Sequence, residues 1–392
     1  MRICIVSQEY PPETGGGGIG TQCYLKATGL SARGHHVEVV TASWTNPRVE
    51  RDGNLIVHRM LPSDFGVTSF DDSMQWMQNS LNAERKLQEM DAENNFDIIQ
   101  FPEYGGEGFF HQTNNWKYRK AKYFVQLHGP LAMFAEHMGW PEKNSAFCKV
   151  GCFMEKMSIH HADGLLASSH ATARFCATAY DFPVERVNVI HSGIDTNRFF
   201  PREPVKEDWF PRILFVGNLA GNKGFNLLID TVLAMREKYP RIRLKMMGRG
   251  DESTIKAAKK RVEAAGAQEN VEIGAYVPYL ELPQQYAWCD FFAGPSVYEP
   301  GPGNVYLEAM SSGRPVIACN TAGAPEVVHD EQTGLLIPPQ DSAALERAIT
   351  RLAEDSSLRK RLGDGGRQWV VENVSIEKYL DKVERFYEKL LS

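Results

Sequence analysis

No stretch of this chain approaches the roughly 18 consecutive apolar residues of a membrane-crossing helix. The N-terminal apolar run Ile3–Val6 is too short for the core of a secretion signal. Neither a spanning segment nor export is therefore expected. A basic excess is missing as well: 43 Lys and Arg face 49 Asp and Glu, a net charge of −6. Nothing in that balance would drive sequence-independent binding to a phosphate backbone, and nucleic acid is excluded as a partner. Cysteines are scattered and odd in number, at positions 4, 23, 148, 152, 176, 289 and 319. That pattern argues against a disulfide framework and for a reducing, cytoplasmic compartment. Cys148 and Cys152, with His160 and His161 nearby, lack a second cysteine pair. Their i,i+4 spacing in an apolar stretch fits one buried helix face, so core thiols are expected rather than zinc. Internal repeats are absent, and the one low-complexity run is the four glycines at 15–18.

What is present is ordinary globular composition, 43% hydrophobic and 10% aromatic, in 392 residues. At about 100–200 residues per domain that length predicts two domains, each with its own core. Two stretches, Arg2–Ser7 and Arg212–Gly217, read as first strands of separate doubly wound units: each is a short apolar run that ends in a turn and precedes a helical pattern. Further strands are expected at 36–41, 97–100, 122–127, 164–167 and 187–190 in the first half. The second half adds 243–247, 271–273, 291–293, 315–318 and 334–337. Strand and helix alternate, which makes the class α/β with mainly parallel sheets. The Pro- and charge-rich segment between Phe199 and Arg212 reads as a linker. Domains are therefore expected at 1–205 and 206–374, with a final amphipathic helix over about 375–392 that packs back on the first domain.

Gly15-Gly-Gly-Gly-Ile-Gly20 satisfies G-x-G-x-x-G, yet seven residues separate it from the strand and Glu38 lies inside the next strand. The dinucleotide fingerprint needs glycines at the strand end and an acid at the next strand's tip, so that reading fails. A glycine loop entering a helix is better read as backbone approaching an anion at the helix N-terminus, with a plain connector as the alternative. The richest segment is Ser296-Val-Tyr-Glu-Pro-Gly-Pro-Gly-Asn-Val-Tyr-Leu-Glu-Ala-Met310. It follows an apolar strand, exposes backbone amides through its glycines and then opens a helix carrying Glu308. Such a turn can hold a phosphate while carboxylates accept sugar hydroxyls. An acid flanked by Leu307 and Ala309-Met310 is costly unless paired, which favours function over a solvated glutamate.

This segment resembles the paired-glutamate signature of the family 4 retaining glycosyltransferases, whose GT-B fold has two facing Rossmann-like domains and an interdomain cleft. Other pieces agree in order: the early glycine loop, His128-Gly129, Val189–Pro201, Phe215–Gly224 and Pro315–Val328. The resemblance implies that Glu299 contacts the transferred sugar and that Glu308 takes the ribose hydroxyls. It implies further that amides around Gly301, Gly303, Asn304 and Val305 hold the donor hexose and diphosphate. Lys223 would neutralise that diphosphate, His128 would lie against the reacting sugar, and Gly15, Gly16, Gly17 and Gly18 would close over the diphosphate. Tyr276 would stack near the base. Asn218 stands where the family usually has arginine, which makes Arg249 the nearest replacement cation, and eight residues rather than seven separate the two glutamates.

The implied activity is a retaining, metal-independent hexosyl transfer from a nucleoside-diphosphate sugar to a saccharide or other hydroxyl acceptor, in polysaccharide or glycoconjugate synthesis. A UDP-sugar such as UDP-glucose is the favoured donor, and no cofactor beyond that co-substrate is expected. Lys223, amides and a helix N-terminus would meet the charge of the departing diphosphate. Asp71-Asp72 reads as a helix cap, not a metal pair. Glu103 reads equally as an acceptor-side contact or as a surface loop acid. Rival readings are a sugar-nucleotide epimerase and a non-catalytic nucleotide-sugar-binding protein of the same fold. The basic, aromatic patch Trp116–Lys122 reads as a solvated connection, so a saccharide acceptor is preferred over lipid, with peripheral membrane contact and oligomeric state left open.

Overall fold

The computed structural model describes residues 1–14, 17–61, 74–91, 95–114, 120–203, 205 and 207–392. Gly15, Gly16, Asp71, Asp72 and most of the Trp116–Lys122 patch lie outside the described residues. The chain divides into two compact units, one formed by Met1–Gly193 with Ile376–Ser392 and the other by Ile194–Ser375. The break falls before the Pro-rich stretch, not within it. Ile194 and Phe199 are buried in the second unit's core, and the Arg212 guanidinium donates to the Val205 carbonyl. The stretch after Phe199 is thus held by the second unit rather than strung as a free linker.

In the first unit the strands are β1 (Arg2–Val6), β2 (His36–Ala42), β3 (Arg48–Asp52), β4 (Leu55–Met60), β5 (Ile98–Pro102), β6 (Lys122–Leu127), β7 (Gly164–Ala167) and β8 (Val187–Val189). Among the described residues they form one sheet in the order β3-β4-β2-β1-β5-β6-β7-β8. All neighbours are parallel except β3 and β4. That antiparallel pair has no counterpart among the expected strands. Arg48-Val-Glu-Arg-Asp52 is a polar edge strand without an apolar run, and its signal was the Gly53-Asn54 turn, where Gly53 takes φ +57°.

Ile3, Ile5, Ala27, Val37, Val39 and Phe124 pack on one sheet face together with Tyr379, Leu380, Val383, Phe386 and Tyr387 of the helix Ile376–Leu391. Those last positions recur at the helical period, so one stripe of the terminal helix is buried in the first unit's core. The other face is covered by Leu87, Phe101, Val125, Ile159 and their neighbours.

The second unit's strands are β9 (Arg212–Val216), β10 (Arg243–Met247), β11 (Val271–Ile273), β12 (Phe291–Gly294), β13 (Val316–Cys319) and β14 (Gly334–Ile337). Among the described residues they run in the order β11-β10-β9-β12-β13-β14, all parallel. In both sheets the strand order reverses beside the first strand, between β1 and β5 and between β9 and β12. Doubly wound sheets take ligands at the carboxyl edge beside such a reversal.

Candidate active site

In the second unit, β9 exits into the loop that carries Lys223, and β12 exits into the segment that carries Glu299. Pairing of Phe291 with Ile213 makes these exits neighbours. Gly224 lets the loops close: it sits at φ +73°, and a Cβ there would lie 2.1 Å from the Pro295 carbonyl oxygen. The Val297 amide donates to the Asn222 carbonyl at 2.8 Å, which ties the loops together. Lys223 Nζ consequently lies 2.7 Å from Glu299 Oε2, both side chains largely enclosed. The residues expected to hold diphosphate and hexose are therefore ion-paired to each other.

Past Glu299 the chain turns through Gly301 and Gly303, and Gly303, at φ +74°, caps the helix Asn304–Ser311. The Asn304 and Val305 amides come before the first intrahelical bond, Tyr306 N to Gly303 O, and so form the positive end of the helix dipole. Glu308, one turn further, is 3% exposed and accepts a 2.7 Å bond from the Tyr286 hydroxyl. Burial pushes its carboxyl up to about 7, against the lowering effect of that hydrogen bond. Tyr286 is a member of the site that sequence reasoning missed, because its position on the helix Leu282–Trp288 reads as plain core.

At the exits of β10 and β11 the Arg249 guanidinium covers the Tyr276 ring, 4.3 Å from its centroid, with the ring still 38% exposed. Asn218 is exposed, and its carbonyl accepts the Ala220 amide. Arg249 is thus partnered with the Tyr276 ring.

In the first unit, Gly17 takes extended backbone as N-cap of the helix Gly18–Ala32, so two of the expected loop glycines sit at a helix start. A carboxylate is already there: the Gly20 amide donates to Glu9 Oε2 at 3.1 Å. His128 follows β6. Its amide and that of Gly129 both donate to Glu103 Oε1, at 2.6 and 2.5 Å. Glu103 is fully buried, which corrects the surface-acid reading: Pro102-Glu103 tucks under the His128-Gly129 turn instead of facing solvent. Burial pushes its carboxyl up to about 7 against those two amides, and its Oε2 has no hydrogen-bond partner among the described residues. Burial first and the Lys26 ammonium second depress the His128 imidazole to about 3, so it stays neutral at physiological pH.

Glu155 backs the same region, accepting from the Gly105 and Leu131 amides and from the Tyr180 hydroxyl, and burial raises it to about 8. Cys148 and Cys152 are neighbours on the helix Ala146–His160, and no group of three metal-ligating side chains occurs among the described residues. No helix there is long and apolar enough to cross a membrane.

Residues 16–198 match the model described as Glycosyltransferase Family 4, and residues 210–355 match that described as Glycosyl transferases group 1. An uncharacterised glycosyltransferase of Methanocaldococcus jannaschii is 25% identical over 99% of this chain and 98% of its own length. The GDP-mannose-dependent alpha-(1-6)-phosphatidylinositol monomannoside mannosyltransferase of Mycolicibacterium smegmatis is also 25% identical, over 95% and 94% of the two chains. Sucrose-phosphate synthase from Thermosynechococcus elongatus superposes with a TM-score of 0.84 at 22% identity, covering 99% of this chain and 98% of its own. Anabaena HepE, solved with UDP-glucose, gives 0.73 at 18% identity, covering 99% and 100%. These structural likenesses speak to the fold, which is α/β of the GT-B type.

Proposed function

Because the chain belongs to the family 4, group 1 glycosyltransferases, enzymes with sugar-nucleotide donors, we propose that it transfers a hexose from a UDP-sugar to a saccharide hydroxyl, with retention and without a metal ion. The observation that carries the reading is the cluster at the β9 and β12 exits: Lys223 against Glu299, the Gly303-capped helix start and the buried Glu308. In glycosyl transfer the sugar becomes oxocarbenium-like while negative charge grows on the leaving diphosphate. Lys223 and the Asn304 and Val305 amides are preorganised groups for that charge, each of a kind worth about 2.7–4 kcal/mol when deleted. Glu308 would accept the ribose hydroxyls, Glu299 would orient the hexose, and His128, held neutral, would lie against it. UDP is favoured because structural neighbours such as Anabaena HepE were solved with UDP and UDP-glucose, and the GDP-mannose-dependent relatives make GDP-mannose the competing donor.

The test is a panel of UDP-, GDP- and ADP-hexoses, with ¹H NMR following donor consumption in excess EDTA. Transfer from an α-linked UDP-hexose with a small anomeric coupling in the first-formed product is expected. A β product, or activity that only Mg²⁺ or Mn²⁺ restores, would remove the mechanism. Conversion to an isomeric nucleotide sugar would favour the epimerase.

A further inference from the structure

Lys26 lies on the core-facing side of the helix Gly18–Ala32, in step with Cys23, Ala27 and Leu30, and is 2% exposed. Its ammonium donates to Gln100 Oε1 at 2.9 Å and to Gln126 Oε1 at 3.0 Å, on β5 and β6. Both acceptors are neutral, and no carboxylate pairs with Lys26 among the described residues. An ammonium carries three hydrogens; two meet the glutamines, and the Phe124 ring centroid lies 5.7 Å from Nζ. A buried charge without a counter-ion is costly, and replacing such a group by an apolar one of similar size commonly stabilises a fold. Neutral amides and a ring face supply no counter-ion, so pairing within the fold does not account for a positive charge here.

Lys26 and the two glutamines line a slot together with Ser7, His128 and Ser168, at the carboxyl edge of the sheet where the strand order reverses between β1 and β5. The lining holds no Asp or Glu among the described residues. The slot offers about 20 Å³, where one water needs roughly 10–15 Å³. That is little more than one water, so only a small group enters while a sugar ring stays outside, and a carboxylate, with two oxygens to a phosphate's three, is the smaller of the common sugar anions. His128, kept neutral, adds no second charge, whereas Lys26, lowered by burial only to about 8, stays mainly protonated at pH 7.

We propose that this slot is a carboxylate subsite, in which Lys26 between Gln100 and Gln126 selects an acceptor sugar bearing a carboxylate, such as a uronic acid. The assignment to the acceptor rests on the glycosyltransferase reading, which places the donor diphosphate with Lys223 in the other unit. Lys26 then acts as a specificity-determining residue retained against stability.

The experiment uses the full chain, as wild type and Lys26→Met, an uncharged side chain of similar length. Binding of sodium glucuronate, glucose and glucose 6-phosphate is measured by saturation-transfer NMR titration in the presence of UDP. UDP affinity and Tm are measured alongside. Wild type should bind glucuronate at least tenfold more tightly than glucose or glucose 6-phosphate. In Lys26→Met that preference should vanish, with UDP affinity within twofold and Tm raised by a few degrees. Equal binding of glucuronate by the two proteins, absence of a preference in wild type, or an equal preference for glucose 6-phosphate would overturn the carboxylate subsite. A variant that loses Tm and all sugars together would show a structural lysine and overturn it equally. Failure of wild type to bind any nucleoside diphosphate would instead strike at the glycosyltransferase reading.

Discussion

Lys223 cannot serve a diphosphate and Glu299 at once without sharing its charge, and this makes Glu299→Gln an informative perturbation. Considered as a sugar contact alone, Glu299 could be removed with nucleotide affinity left within about twofold. The 2.7 Å ion pair changes that expectation. The side chains are 22% and 15% exposed, so the pair is stronger than an exposed one, worth about 0.2–1 kcal/mol, and weaker than the roughly 1.5–3 kcal/mol of a well-enclosed charge-assisted bond. About 1 kcal/mol is a reasonable measure of what a diphosphate must displace. Neutralising Glu299 removes that competition, and UDP should bind about fivefold more tightly. Hexose transfer should move the opposite way, by about 10²-fold, because a misplaced reacting carbon costs that much. Isothermal titration of UDP beside initial rates reads both. The Lys223→Ala enzyme serves as reference, since it should lose affinity and turnover together. If Glu299→Gln binds UDP no better than wild type, the pair does not gate the lysine and the reasoning fails.

Glu308 must be ionised to accept two ribose hydroxyls, and with its carboxyl near 7 the affinity for UDP-glucose, which has no ionisation of its own in this range, should rise about tenfold from pH 6 to pH 8. Tyr286→Phe removes the hydrogen bond that favours the charged form and should shift this profile to higher pH; an unmoved profile would show that Tyr286 does not set the charge of Glu308. Stability should fall with rising pH between about 6.5 and 8. Glu103 and Glu308 near 7, and Glu155 and the buried Glu107, which accepts from the Gln8 amide, near 8 are raised above their unfolded values, so across this window the folded chain holds more protons than the unfolded one. Neutral buried carboxyls stabilise at the lower end, and that contribution is lost as pH climbs through the folded values. His128, depressed to about 3, opposes the trend only below its unfolded value near 6.5, and Lys26, lowered to about 8, opposes it mainly above 8. The loss should be on the order of 3 kcal/mol, or roughly 6–12 °C in Tm for domains of this size, and a calorimetric Tm that is flat or rising from pH 6.5 to 8 would show that these glutamates are not buried as described.

Much of the scaffold was legible in the chain because it depends on local pattern. Short apolar runs such as Ile3–Val6 and Ile213–Phe215 alternate with helical stretches, and that alternation predicts mainly parallel sheets. Gly303 before Asn304 likewise announced a helix start, since at φ +74° only glycine takes the backbone cheaply. The polar edge strand Arg48–Asp52 escaped because exposure on an edge imposes no apolar run, and Ile194 and Phe199 escaped as members of the second unit because burial is not a local property. Tertiary structure alone decided who partners whom. Parallel pairing brings the exits of β9 and β12 together, so Lys223 meets Glu299 across 76 positions, and packing of the helix Gly18–Ala32 on the sheet brings Lys26 to Gln100 and Gln126 across 74 and 100. A residue's type states which charge it can carry. The strand order decides whether that charge finds a counter-ion, a neutral amide or an open slot, and with it what the group can bind.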